Sequence, residues 1–366
     1  ARHWVIMRTM RLLHTSDLHL RTTGDERWDA LTTLLDAAEE LKAGALLVSG
    51  DMFDKGVEAQ RLKTPLRELF EKRSLPVVIL PGNHDEKGLS AGDYFGPDVT
   101  VLADSAQWIE FGTTRVVGIP FENVGPDVVL ERLLAAREHV RREEGATNVL
   151  LFHGELLDLV PEADAFGDEG GFDYMPVRLS TFSGLGFDYV LAGHFHKSYD
   201  VRRFDGGYFA YPGSPVSITR KELGRRHANV VDSGEPPRPV SLDTVHAERV
   251  EVRLNPFDRR DPIEEINRRL AGLHPKASVY LSVGGYADVE AMGTTEKGLG
   301  ERIKRFESNA RVVQVTSRWR EVGAILQHEL FRRVNRKLES IDVPDGEKQA
   351  IRDMVIDALT ETIHAD

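Results

Sequence analysis

Cysteine is absent from all 366 residues. Disulfides, thiolate metal sites and cysteine nucleophiles are thereby excluded together, so any metal must be held by His, Asp, Glu or Asn. A chain without thiols also fits a reducing, cytoplasmic setting. Long apolar runs are lacking too: no stretch approaches the roughly 20 residues that cross a bilayer, and no membrane association is expected. The first ten residues have neither the apolar core nor the small-residue cleavage site of a secretory signal. Basic excess is also missing. A formal net charge of −12 argues against a protein that coats nucleic acid by bulk attraction, which requires Lys and Arg to neutralise phosphates.

The composition itself, 41% hydrophobic and 29% charged, is that of a globular chain, and its length exceeds what one core usually organises. From residue 10 to about 205, short apolar runs alternate with helical segments: Arg11–Thr15, Leu46–Ser49, Val77–Leu80, Val116–Ile119, Asn148–Phe152 and Tyr189–Ala192. This rhythm predicts an α/β layered domain over 10–245, with β-sheets flanked by helices and several parallel strands. Pro-rich Glu235–Pro239 reads as a turn or boundary. Residues 246–320 read as strand, helix, strand, helix, strand, a small second α/β domain with a basic balance of +3, and 321–366 as a two-helix tail split at Val343-Pro344.

Residues just past strand ends in such sheets share one edge, where ligands bind. Asp17-Leu18-His19, Gly50-Asp51, Gly82-Asn83-His84-Asp85, His153-Gly154 and Gly193-His194-Phe195-His196 all fall there. Each brings oxygen or imidazole donors. If the chain stays extended, Asp17 and His19, and likewise His194 and His196, point to one pocket. Mixed imidazole and oxygen donors suit manganese, iron or zinc. Asp51 is the candidate bridge between two ions, one oxygen to each. One such His taken singly is more often a core or surface residue; the ordered set is what carries the signal.

This ordered set resembles the calcineurin-like metallophosphoesterase superfamily over roughly residues 11–215. The runs His14-Thr15-Ser16-Asp17-Leu18-His19-Leu20, Gly50-Asp51-Met52-Phe53-Asp54 and Tyr211-Pro212-Gly213-Ser214-Pro215 are most similar to the SbcD-type exonuclease subunits of DNA double-strand-break repair. The resemblance implies two divalent ions, manganese above all. One would be held by Asp17, His19, Asp51 and His196, the other by Asp51, Asn83, His153 and His194. It implies that His84 protonates the leaving group and that Asp85 orients His84. It further implies DNA as substrate, residues 246–320 as a cap, helices of the tail on an SbcC-type coiled-coil ATPase, and a homodimer. Arg21 departs from the glycine many relatives carry there, and Asp54 from the second histidine of archaeal ones.

Arg220, Lys221, Arg225 and Arg226, with His227, form a basic cluster that is a candidate contact for the DNA backbone, against the plainer reading of a solvated surface. Arg259, Arg260, Arg268 and Arg269 are read in the same two ways. The acidic stretch 158–173 reads as a mobile loop. Leu326, Leu330, Val334 and Leu338 make a stripe that either meets a partner or packs on the second tail helix. His14, His139, His246, His274, His328 and His364 are assigned structural or solvent roles. A manganese-dependent nuclease, acting as 3′-to-5′ exonuclease and single-strand endonuclease, is the leading expectation. The alternatives are a small-molecule phosphodiesterase or phosphatase of the same superfamily, which shares the ligand set, and a non-catalytic scaffold.

Overall fold

Runs of Val, Leu and Ile that are buried on both faces build the central strands, and helices laid over them supply the outer layers. The structure, a computed structural model, describes residues 10–85, 88–105, 107–159, 174–197, 199–258 and 260–363. Most of the expected acidic loop, together with Arg259 and His364, lies outside the described residues. Two compact units meet in sequence between Ala247 and Glu248.

The first unit opens with β1 (Arg11–Thr15), α1 (Glu26–Glu40), β2 (Ala45–Ser49), α2 (Gly56–Glu71), β3 (Val77–Leu80) and β4 (Val99–Val101). There follow β5 (Gln107–Phe111), β6 (Thr114–Ile119), α3 (Pro126–Arg137), β7 (Thr147–His153), β8 (Tyr189–Gly193), β9 (Asp200–Phe204) and β10 (Gly207–Tyr211). β11 (His227–Asp232) and β12 (Arg238–Ser241) return to the first sheet. One sheet runs β12-β11-β1-β2-β3-β4 and the other β5-β6-β7-β8-β10-β9. In the first sheet the parallel strands β1 to β4 run out to one edge, with antiparallel β11 and β12 at the other; in the second, parallel β6, β7, β8 and β10 sit between antiparallel edge strands β5 and β9.

Side-chain alternation then makes a core between the sheets: Leu12, Leu47, Val78 and Leu80 from one, Val149, Leu151, Leu191 and Ala210 from the other. The opposite faces pack under helices. Leu13, Leu46 and Val48 meet Leu31, Leu35, Leu62 and Leu66, while Val117, Leu150 and Val190 meet Val129 and Leu133. The result is a four-layer arrangement, helix, sheet, sheet, helix, and the α/β layered expectation holds.

The second unit contains β13 (His246–Leu254), α4 (Pro262–Ala271), β14 (Ala277–Ala287), α5 (Glu296–Lys304) and β15 (Val312–Glu321), in a sheet of order β13-β14-β15. Its core is Val252, Ile266, Leu281, Leu299 and Ile303. Three helices follow: α6 (Gly323–Gln327), α7 (Glu329–Glu339) and α8 (Asp345–Ile363). The single helix expected before Val343 is therefore broken. His328 is extended, with φ −62 and ψ 136, and its side chain accepts the Leu330 N–H as an N-cap. The break also dissolves the Leu326-to-Leu338 stripe. Phe331 turns inward onto Ile356 and Leu359, Leu338 is buried, and Leu330 is left half exposed.

Candidate metal centre

Every donor expected from the strand-end motifs reaches one place. Asp17 and His19 follow β1, Asp51 follows β2 and Asn83 follows β3, all on the first sheet. His153 ends β7, and His194 and His196 follow β8 on the second. One ligand atom each from Asp17, His19, Asp51 and His196 falls within a 4.8 Å cluster. Asp51 joins this group to the rest: its Oδ2 lies 3.7 Å from His19 Nε2 and 3.4 Å from His153 Nε2. Asn83 Oδ1 is 2.9 Å from that same nitrogen of His153, and the His194 ring crosses His153 edge to face at 5.5 Å.

Two details differ from the sequence reading. Asp17 and His19 do not share a face by extension: their φ values are 55° and 47°, and Asp51 and His194 are also left-handed, at 52° and 99°. Non-glycine residues in that region are strained by about 1–3 kcal/mol each, and such strain collects at functional sites. Backbone bonds from Asp17 N to Gly50 O (3.0 Å) and His19 N to Asp51 O (2.9 Å) hold the turns in place. The second difference is at Asp51. Oδ1 accepts the His84 N–H at 2.9 Å, so the carboxylate offers both halves of the cluster the same oxygen, Oδ2, rather than one to each.

Glycine allows the close approach. A Cβ on Gly50, itself at φ +92°, would sit 1.9 Å from His153 Nδ1, and one on Gly82 would sit 2.2 Å from Asp51 Oδ1. His153 Nδ1 donates to Ser49 O at 2.8 Å, which fixes the tautomer that aims Nε2 inward.

The donor set suits divalent cations. Asp51 Oδ2 and both ring nitrogens of His194 are buried with no hydrogen-bond partner, a costly state that a cation relieves. Burial pushes Asp17 and Asp51 up, but the His196 imidazole beside Asp17 brings it down to about 2, and His153 and His19 hold Asp51 lower still. The same carboxylates raise His153 to about 9 against its burial, whereas burial lowers His19 and His194 to about 4. Anionic oxygens beside the neutral imidazoles of His19 and His194 are what a metal ion requires, and the carboxylates that raise His153 would favour a cation in place of its proton.

His84 stands beside the cluster, its ring 4.6 Å from His19 and at right angles to it. Its orienting partner is not Asp85. His84 Nδ1 bonds the Asp54 carbonyl at 2.7 Å, while the Asp85 carboxylate accepts the backbone N–H groups of Met52, Phe53 and Gly82. Asp85 therefore ties the β3 turn to the β2 turn. Burial and the nearby Asp51 push it up to about 7.

Of the basic cluster, only Arg220 is exposed; Lys221 and Arg225 are half-buried. Arg226 is 2% exposed and spends its guanidinium on the carbonyls of His196, Lys197 and Ser214, which removes it as a DNA contact. Arg260 pairs with Asp258, and Arg268 and Arg269 pair with Glu265.

Sequence reasoning missed Arg27 and Glu222. Arg27 is buried, donates to His19 O at 2.5 Å and Asp54 Oδ1 at 2.9 Å, and shares that oxygen with Arg21 at 3.0 Å. Its position on the apolar stripe of α1 with Ala30, Leu31 and Leu34 was the available signal. Glu222 was hidden inside the basic run.

Fold and site together define a metal-dependent phosphoester hydrolase. The chain belongs to the calcineurin-like phosphoesterase family, whose sequence profile matches residues 10–198. It is similar to the DNA double-strand break repair protein Mre11 of Methanopyrus kandleri, 24% identical over 97% of this chain and 82% of that protein. The SbcD component of the nuclease SbcCD of Escherichia coli is 24% identical over 59% of this chain and 63% of that protein. Mre11 of Saccharolobus solfataricus is 26% identical over 58% of this chain and 56% of that protein, so these last two matches span less than two thirds of the relatives' own length. No helix among the described residues is long and apolar enough to cross a membrane.

Proposed function

We propose that the chain is a manganese-dependent DNA nuclease of double-strand-break repair, working as 3′-to-5′ exonuclease and single-strand endonuclease. The observation that carries this reading is the length of the likeness to the Methanopyrus Mre11. It runs through 97% of the chain and so past the phosphoesterase region into the second unit, which a small-molecule hydrolase does not need.

Asp17, His19, Asp51 and His196 would hold one ion, and Asp51, Asn83, His153 and His194 the other. Two such ions lower the pKa of an attacking water and neutralise phosphate oxygens during in-line displacement. The chain's own groups supply the rest. His84, tied through Nδ1 to the Asp54 carbonyl, presents Nε2 as the atom that gives its proton to the departing sugar oxygen. Arg27 holds both that carbonyl's residue and the His19 backbone, keeping donor and cluster in register. In this reading residues 246–320 face DNA, 321–366 take an SbcC-type coiled-coil ATPase, and the chain pairs with a second copy.

Purified protein with Mn2+ should degrade linear duplex DNA, and His84→Ala should lose about 10²–10⁴-fold in rate while still binding Mn2+. Vigorous hydrolysis of cyclic nucleotides with DNA left intact would select the small-molecule phosphodiesterase instead.

A further inference from the structure

His196 is held from one short stretch of chain. Its carbonyl accepts from Ser214 N at 3.2 Å and from Arg226 Nη2. The ring lies between two sets of neighbours. Nε2 points into the cluster, 3.2 Å from His19 Nε2 and 3.4 Å from Asp17 Oδ1, and Nδ1 points away, 3.7 Å from Glu222 Oε1.

Glu222 is 3% exposed. Its Oε2 accepts from Ser214 Oγ at 2.7 Å and Ile218 N at 2.9 Å, and its Oε1 from Thr219 N and Thr219 Oγ1, both at 3.1 Å. A carboxylate fixed by this many donors cannot swing away from the ring it faces. Burying its charge is costly unless a partner answers it. Arg226, from the same segment, gives its guanidinium to Ser214 O and Ser214 Oγ, so acid, base and hydroxyl form one buried group behind His196.

We propose that Glu222 is a positioning residue of the metal centre. It accepts the Nδ1–H of His196, fixes the tautomer that presents Nε2, and makes that nitrogen a stronger metal donor. Nδ1 and Oε1 stand 3.7 Å apart, a gap that a small rotation of the ring would close. His153 has a backbone acceptor for the same purpose, Ser49 O, and His196 has a carboxylate, the more strongly polarising of the two. The Tyr211-Pro212-Gly213-Ser214-Pro215 turn is then a brace for a metal ligand, through Ser214. The inference rests on the metal centre of the proposed function and is independent of DNA as substrate.

The test is Mn2+ titration of the intact protein by calorimetry, with electron paramagnetic resonance counting bound ions. Glu222→Gln keeps the size of the side chain and one acceptor oxygen but removes the charge. It should weaken one of two Mn2+ sites by about 10–100-fold and leave the other unchanged, while the melting temperature of the EDTA-treated protein falls because the new amide NH2 must face the backbone N–H of Ile218 or Thr219. Glu222→Asp, which restores the charge, should recover part of the loss. Wild-type affinity at both sites in Glu222→Gln would overturn the proposal. So would equal weakening of both sites in step with a lowered melting temperature, the mark of a merely structural role. Selective loss at one site in the variant, together with wild-type protein that binds two Mn2+ and leaves DNA uncut, would uphold Glu222 and sink the nuclease reading alone.

Discussion

His14 shows how a histidine beside a metal cluster can be kept out of the chemistry. It is fully buried, accepts from Asn229 Nδ2 at 2.8 Å on Nδ1, and so carries its proton on Nε2, bonded to Ser49 Oγ. Burial lowers it from 6.5 to about 3, against a smaller upward pull from Asp17. A folded-state value below the ordinary one means that the unfolded chain takes up the proton first. Stability is therefore full above about pH 6.5 and falls as pH drops towards 3. In EDTA, urea unfolding at pH 7, 6 and 5 should show this decline. His14→Gln should reduce the slope by up to about 1.4 kcal/mol per pH unit, the value for one proton. Asp85, raised to about 7, works in the opposite sense, and comparison with the variant cancels it. Identical slopes for wild type and variant would show that His14 is not held neutral.

At the scale of elements, the site depends on how closely strand ends approach. Gly193 closes β8, and a Cβ there would lie 2.0 Å from Ser49 O, the acceptor that fixes His153, and 2.7 Å from Ser16 Cβ. Overpacking of this kind costs about 1–3 kcal/mol or more, and here it would also displace a ligand's anchor. Gly193→Ala should lower the melting temperature and the Mn2+ stoichiometry together. Gly300→Ala in α5, where no atom lies within 4 Å of the new Cβ, should instead stabilise by up to about 1 kcal/mol. Each parallel strand that carries a ligand was legible in the sequence, because an apolar run ended in Gly, Asp or His marks it whatever sheet it joins. The partition into two sheets was not. β2 and β7 are buried on both faces, so no alternation distinguishes the side facing the other sheet from the side facing a helix. The edge strands β9 and β12 carry mixed, partly exposed residues that read as loop, and the break at His328 is set by an extended backbone that helical periodicity does not register.

Taken whole, the first unit is two sheets whose shared core ends at the cluster, and the cluster draws on both. Asp17, Asp51 and Asn83 come from the first sheet and His153, His194 and His196 from the second, with Asp51 Oδ2 facing imidazoles of each. A cation bound there ties the two sheets together at the edge where backbone strain and buried unpartnered atoms are concentrated. Binding to the folded chain alone stabilises it by about 2.7 kcal/mol at a hundredfold excess over Kd. The gain should be local in origin. Hydrogen exchange with and without Mn2+ should show added protection in the peptides that end β1 and β2 and in those that end β7 and β8, one set from each sheet. Peptides of β14 and β15 have their own core around Val279, Leu281 and Val283 and supply no ligand, so their exchange should be unchanged. Protection confined to β1 and β2 would mean that the ions are held by the first sheet alone. His153 and His194 would then be packing residues, and the two-ion assignment would fall with them.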